Sequence, residues 1–386
     1  MKSNTRLMRL PLAALVPLCL LTAACGDTQE DQPTEAAPTS GTSDGADTMA
    51  SQDGAPAGET IADSEARPVM QAQVVRERRG FATGSIDGKE SPALANAVKG
   101  FQESRNLPVT GKLDDATRKA LAQWASIPAT RIVTIPQEWG QIAFATLPES
   151  PAEQAKLSSL AYESLAEKLA ERFHTTPEVL AQLNPGGHPA GAVSDESPSP
   201  AASPQAVAFA PGQQIRVPNI GGDSIDASKI DNDGWLDTLR SLGVGTQQPE
   251  AARLVVDESE GWLKAYDAGD KLVAMFSVTT GSRHDPLPIG DWGIKGKAYN
   301  PPYSYDPALL RGAPASNGKH QLPPGPNSPV GVVWIDLTKD HYGIHGTPSP
   351  DTIGTAESNG CVRLTNWDAA RLAQMVSGST KVEFRK

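Results

Sequence analysis

Apolar positions along this chain follow two different periods. In PALANAVKGFQESRNL, Leu94, Ala97, Val98 and Phe101 stand at i, i+3, i+4 and i+7, the spacing of one helix face. LDDATRKALAQW repeats the pattern with Thr117, Ala120, Leu121 and Trp124, so two short amphipathic helices are predicted on either side of the turn-like PVTGKLDD. Further on, Ala166, Leu169, Ala170 and Phe173 share a helical face, Thr176-Pro177 caps and opens a second helix, and Asn184-Pro185 stops it. FAPGQQIRVP then reads as a turn feeding a short strand. From about Ala251 the pattern changes to β: RLVVDES, WLKAYDAGDKLVAMFSVTTGS, WGIKGKAY and VGVVWIDL are rich in β-branched and aromatic residues, with Ala268-Gly269-Asp270 closing a hairpin. A late helix has Thr365 as N-cap, Asp368 in its first turn and Ala369, Leu372, Ala373 and Val376 as its buried stripe; KVEFRK alternates like a closing strand.

The N-terminal quarter lacks both periods. Lys2, Arg6 and Arg9 precede the apolar stretch LPLAALVPLCLLTAA, with small residues just before Cys25, the layout of a secretory signal too short for a comfortable membrane span. Gly26 to Pro68 carries ten acidic residues against Arg67 alone and almost no large apolar side chain. Such a segment cannot bury enough surface to fold and reads as a self-repelling tether. The predicted organisation is therefore a signal over 1–24, a disordered acidic tether over 25–68, a small helical domain over 69–126 and a small α+β module over 131–219 interrupted by a Pro/Ser-rich insert. A linker over 220–250 and a β-rich domain over 251–386, mostly β with a late helix, complete it. The length of 386 residues and 38% hydrophobic content suffice for such a multidomain chain. The net charge of −11 becomes −14 once Lys2, Arg6 and Arg9 leave with the signal. That balance, without a basic run, argues against nucleic acid and against an electrostatic grip on anionic lipid.

Three cysteines occur, Cys19, Cys25 and Cys361, and only Cys361 lies in the predicted folded part. A lone thiol in an exported protein has no disulfide partner and calls for a use. A thiol becomes a strong nucleophile when its pKa falls or a base takes its proton, and an imidazole supplies both. HYGIHGTPSPDTIG, upstream of Cys361, offers His341 and His345 in what reads as a strand. Four residues of strand span roughly 13 Å, so the two share a face but not a metal ion, and one of them is the expected base. His174 and His188 lack metal-ligand spacing and read as solvent-facing. Tyr299, Tyr303 and Tyr305 divide evenly between lining a substrate groove and packing a turn.

Several stretches resemble known families. LTAAC is similar to a bacterial lipobox, which implies lipidation at Cys25 and a lipid-anchored, periplasm-facing protein of the cell envelope. Ile86-Asp87-Gly88, Ala97-Val98, Phe101-Gln102 and Val109-Thr110-Gly111 resemble the three-helix peptidoglycan-binding domain. The two helices with an LNP ending, followed by PGQ.I.VP, resemble a LysM module. IHGT, then IG, then SNGCVRL before a helix, together with Pro288-Ile289-Gly290, resembles the catalytic motif of the L,D-transpeptidases with a YkuD-type β-rich domain.

That last resemblance implies Cys361 as nucleophile and His345 as general base. Ser358, Asn359, Gly360, Arg363 and Gly346 complete the motif, and His341 is a possible support. Asn359 stands where the family often has histidine. The implied reaction is acyl transfer from the third residue of a tetrapeptide stem of peptidoglycan to an amine, either another stem or a protein, with no metal or other cofactor. The expected partners are stem peptides and glycan strands, with the membrane engaged through the anchor. Two alternatives stay open: a carboxypeptidase-type hydrolase discharging the same acyl-enzyme with water, and a non-enzymatic peptidoglycan-binding lipoprotein.

Overall fold

The computed structural model describes residues 61–192, 207–221, 224–310, 312–356, 358 and 360–386. The signal segment, Cys25, Asn359, nearly all of the expected tether and most of the Pro/Ser-rich insert lie outside them. No helix among the described residues is long and apolar enough to cross a membrane.

The helical domain contains α1 (Pro68–Arg78), α2 (Pro92–Ser104) and α3 (Asp115–Leu121). Ser91 and Asp114 cap α2 and α3 by accepting N–H bonds from Leu94 and Thr117, which satisfies donors that helix starts leave orphaned. α1 escapes the periodicity argument because Met70, Gln73, Val74, Val75, Arg76 and Glu77 are all buried, leaving no polar face to contrast with an apolar one. Gln102, fully buried, donates to Thr110 Oγ1 and Thr117 Oγ1 at 2.9 and 2.8 Å and accepts from the Thr110 and Gly111 N–H groups at 2.8 and 2.9 Å. The Phe-Gln pair is thus architectural: Phe101 packs edge-on against Phe81 and Trp124, and Gln102 closes the turn that follows.

The second module runs β1 (Thr130–Thr134), α4 (Pro151–Gln154), α5 (Leu165–Arg172), α6 (Pro177–Leu183) and β2 (Gln214–Pro218). β1 and β2 pair antiparallel, Thr130 opposite Pro218, and Ile135, Leu169, Ala170, Phe173, Leu180, Ile215 and Val217 form its core. Asn184 explains the LNP ending. Its amide donates to the Leu180 and Arg216 carbonyls and accepts from the Arg216 N–H, tying the end of α6 to β2.

Three expectations need correction. The last tether residues are held, not free: buried Arg216 donates to the carbonyls of Ile61 and Ala62 at 2.9 and 3.0 Å, and Asp63 bonds Thr130 and Arg67. The 220–250 linker contains α7 (Asp233–Leu242), which buries Trp235, Leu236, Leu239 and Leu242 between an Asn232 cap and Gly243, a left-handed residue at φ 72°. Its acidic, glycine-rich flanks masked a helical pattern of fewer than three turns. His174 is 3% exposed rather than solvent-facing, for reasons given below.

The β-rich domain comprises β3 (Arg253–Asp257), β4 (Trp262–Tyr266), β5 (Leu272–Ser277), β6 (Gly290–Tyr299), β7 (Tyr303–Tyr305), β8 (His320–Leu322), β9 (Val333–Leu337), β10 (Gly343–His345), β11 (Val362–Arg363), α8 (Asn366–Met375) and β12 (Lys381–Arg385). Eight strands form one sheet in the order β11-β10-β9-β6-β12-β3-β4-β5, while β7 and β8 pair separately. The closing strand β12 runs up the middle, parallel to β3 and antiparallel to β6. Just past β5, Thr279 bridges Arg363 of β11, so the sheet curls until its two ends meet.

The modules share cores. Phe81, Ala97, Phe101 and Trp124 pack with Val255, Trp262, Leu272 and Met275 of the sheet, and the Gly80 and Ala82 backbone pairs with Met275 at 2.9 and 2.8 Å. α1, α6 and α7 contribute to the same cluster as α8 and the inner sheet face. Each large side chain buried this way contributes about 1.5–3 kcal/mol, so these parts are packed together rather than strung on flexible links.

Candidate active site

β10 lies between two neighbours that present the chemistry. Across β9, His345 faces Trp334; across β11, in parallel register, Ile344 pairs with Val362 and His345 with Arg363. Ile344 and Val362 are fully buried toward the core, so strand alternation puts Cys361, Arg363 and His345 on the opposite face. Cys361 and His345 become diagonal neighbours about 8 Å apart at Cα.

His345 is 5% exposed. Its Nδ1 lies 2.7 Å from the Gly346 carbonyl, which can only accept, so the ring proton sits on Nδ1 and the Nε2 lone pair is left available as a base. Trp334 stacks on the imidazole at 5.2 Å. Burial pushes the His345 pKa down to about 4, the bond to Gly346 opposes this, and the Arg363 cation adds to the lowering. Burial also raises the Cys361 thiol, against smaller lowering effects from the Gly343 N–H and Arg363. The resting pair is therefore a neutral thiol beside a neutral imidazole, where sequence reasoning expected a lowered thiol.

The remaining motif residues shape this pair. Ser358 Oγ donates to the Cys361 carbonyl at 2.6 Å and its N–H to the Thr280 carbonyl at 2.9 Å. Ser358 thus holds the nucleophile's loop. Gly360 has φ +93°, and a Cβ there would meet the Tyr342 ring at 2.6 Å. Gly346 is demanded by space instead: a Cβ would sit 2.1 Å from Asn366 Oδ1. Arg363 exchanges backbone bonds with Thr279 at 3.1 and 2.9 Å, and its buried Nε has no hydrogen-bond partner among the described residues.

His341 does not share the face of His345. The strand starts only at Gly343, and His341 occupies an exposed turn at φ 67°, where alternation no longer applies. Its carbonyl oxygen, not its ring, lies near the Cys361 sulfur, at 3.9 Å. Of the three tyrosines, Tyr303 is the one coupled to the site: burial raises its phenol, and Cys361 and Arg363 act on it electrostatically. Tyr299 stacks on Trp235 and Tyr305 accepts from Asn317. Trp334, Thr279 and Asn366 went unnoticed in the sequence, since none belongs to a local spacing pattern.

Beneath α8 lies a buried charge cluster. Glu77 of α1 is 3.7 Å from His174 Nδ1, Asp368 is 3.6 Å from Nε2, and Arg371 is 3.2 Å from Glu77. The ring also stacks on Trp367 at 4.8 Å and contacts Thr365 Oγ1. Three donor atoms here lie within 4.8 Å of one another. The carboxylates approach opposite nitrogens of one ring, however, so the imidazole itself fills the space an ion needs.

A further carboxyl, half-buried on Glu171 of α5, accepts from Tyr162 and from Asn366 Nδ2. Burial raises its pKa from 4.5 to about 7. Between those values the folded chain holds a proton that the unfolded chain has lost. Its stabilising effect is present below pH 4.5 and disappears as pH rises through 7. Relative to Glu171→Gln, the parent is expected to lose about 3 kcal/mol of unfolding free energy across that window. Urea titrations of both proteins at several pH values check this; parallel curves count against it.

Comparison with known proteins follows the same division. Residues 251–384 match the YkuD profile, described as an L,D-transpeptidase catalytic domain, and residues 68–121 match the Putative peptidoglycan binding domain. The Putative L,D-transpeptidase YkuD of Bacillus licheniformis is 28% identical over 218 residues, 56% of this chain and 92% of that protein. Its Bacillus subtilis namesake is 46% identical over 61 residues, 16% of this chain and 37% of that protein. A solved L,D-transpeptidase from Mycobacterium smegmatis is 22% identical, over 35% of this chain and 59% of that one, with a TM-score of 0.29. The chain thus spans nearly all of the first relative and less than two thirds of the other two.

Proposed function

We propose, from the match of residues 251–384 to the L,D-transpeptidase catalytic domain and of residues 68–121 to the peptidoglycan-binding domain, that this protein transfers the acyl group of a peptidoglycan tetrapeptide stem to an amine. The observation that carries the reading is His345, fixed by its Nδ1 bond to the Gly346 carbonyl, beside Cys361 on one face of β10 and β11.

In the first step Cys361 gives its proton to His345 Nε2 as sulfur attacks the carbonyl of the stem's third residue. The carbonyl becomes an oxyanion, for which the N–H groups of Gly360 and Cys361 are the proposed donors. Collapse breaks the C–N bond, His345 returns the proton to the departing D-alanine amine, and a thioester remains. The incoming amine then loses a proton to His345, attacks the thioester and releases the thiol. Arg363, whose Nε has no hydrogen-bond partner among the described residues, is the proposed group for a substrate carboxylate.

Mass spectrometry of muropeptides, after incubation with tetrapeptide-bearing peptidoglycan, tests the acceptor. Cross-links between third residues are the expected product, with attachment to a protein amine as the variant acceptor. Tripeptide stems alone would assign the hydrolase, and unchanged stems would sink the reading.

The order β1, α5, α6, β2 supports a LysM-like glycan-binding role for the second module. We also assign Cys25 as a lipid anchor, holding the enzyme to an envelope membrane with its sites facing the periplasm. More than one acyl chain makes such attachment stable. Cys25→Ala is expected to release the protein from membranes, whereas Cys19→Ala leaves it bound; soluble, unmodified protein with Cys25 intact refutes the anchor.

A further inference from the structure

We propose that Glu171, from the second module, is a positioning residue for the transfer reaction: through Asn366 it fixes the Gly346 backbone that holds the His345 imidazole. The proposal rests on His345 being the general base.

Asn366 is fully buried at the start of α8. Its Nδ2 donates to Glu171 at 2.7 Å and to the Pro326 carbonyl at 3.0 Å, and its Oδ1 accepts from the Val332 N–H at 3.2 Å. The same Oδ1 lies against Gly346, so closely that a Cβ there would be 2.1 Å away, and against Gly331 at 1.9 Å on the same measure. Gly331 in turn abuts the Gly346 backbone, with its added Cβ 2.8 Å from Gly346 carbon. The Gly346 peptide is therefore wedged between Asn366 and residue 331, while its carbonyl takes the His345 Nδ1 proton at 2.7 Å.

Part of what orients the wedge comes from outside the catalytic domain. Glu171 stands at the end of α5, with Tyr162 bonding its other oxygen and Asn327 bonding its neighbour Glu167. Without Glu171, one Asn366 donor hydrogen loses its protein acceptor. The amide, then held by the Pro326 carbonyl and the Val332 N–H alone, is free to shift, and Gly346 loses part of its backing. A sub-ångström shift of that carbonyl re-aims Nε2 relative to Cys361, and misplacements of about 1 Å cost on the order of a hundredfold in rate.

The test uses the full chain and four variants: Glu171→Ala, Glu171→Gln, Asn366→Asp and His345→Ala. Turnover of tetrapeptide substrate is normalised to folded protein, and Cys361 alkylation by iodoacetamide is followed against pH. Glu171→Ala is expected to lower kcat about ten- to a hundredfold with KM within about twofold, and to slow alkylation in the limb where the base assists. Glu171→Gln, which still accepts from Asn366, is expected to stay within about threefold of the parent. Asn366→Asp keeps the bond from Val332 but loses its donations to both Glu171 and Pro326, so it is expected to lose at least as much as Glu171→Ala; it carries the test if Glu171→Ala does not fold. Parent-like kcat and alkylation in Glu171→Ala or Asn366→Asp overturns the proposal, as does an equal loss in Glu171→Gln. Activity retained in His345→Ala overturns the base assignment itself. An inactive His345→Ala beside a parent-like Glu171→Ala rejects the positioning role alone.

Discussion

Cys361→Ser is expected to lower turnover by on the order of 10⁴-fold or more and to eliminate the covalent intermediate. The reason lies in the base as much as in the nucleophile. His345, held near a pKa of 4 by burial, is too weak a base to prepare a serine hydroxyl, though sufficient for a thiol whose proton moves as the carbon–sulfur bond forms. Intact-protein mass spectrometry after substrate addition checks the prediction: the parent gains one stem acyl group and Cys361→Ser gains none. Because burial raises the Cys361 thiol above its ordinary value of 9.0, its alkylation is also expected to climb through and above pH 8.5 rather than level off below it. A plateau at neutral pH would mean that a thiolate pre-exists at rest. Serine-dependent cross-linking would remove Cys361 from the mechanism altogether.

Glu77→Ala is expected to cost about 3–5 kcal/mol, the largest stability loss of any single change considered. Glu77 is 1% exposed and bonds Arg371 and the Thr83 N–H while facing His174. Burial raises its carboxyl pKa, opposed by His174 and Arg371. Removing it strands the Arg371 guanidinium, 9% exposed along its side chain, beside a cavity. The loss is expected to be global, since Glu77 belongs to α1, His174 follows α5 and Asp368 lies in α8. A denaturant titration checks this. A change under about 1 kcal/mol would show that the cluster is not coupled to unfolding.

The particular elements show where sequence reasoning succeeds. α2 and α5 were legible because each has one face toward a core and one turned away from it, whereas α8, nearly all buried, was legible from its Thr365 cap and its apolar spacing. Hairpins such as β4 and β5 were legible from their turn. The proposed nucleophile and base were legible because their glycine-rich neighbours make a dense local motif. Contacts now explain that density: Tyr342 against Gly360, Asn366 against Gly346, and Trp334 across Gly343, where a Cβ would meet the ring at 2.4 Å. α1 and the buried state of His174 were not legible, because nothing local distinguishes a polar side chain facing water from one facing a buried counter-charge.

By itself, then, the chain's order of residues determined most of the local elements, the modular plan and the cysteine and histidine of the proposed chemistry, all set by spacings of a few residues. Only the tertiary structure decided how the modules meet. Burying Phe81 with Met275 and Glu77 with Arg371 joins residues some two hundred to three hundred positions apart, and no short-range pattern records such pairs. The same holds for the protonation states of Cys361 and His345. Their direction depends on how much water the folded chain excludes, and that exclusion is a property of the assembled curled sheet and its neighbours, not of the motif.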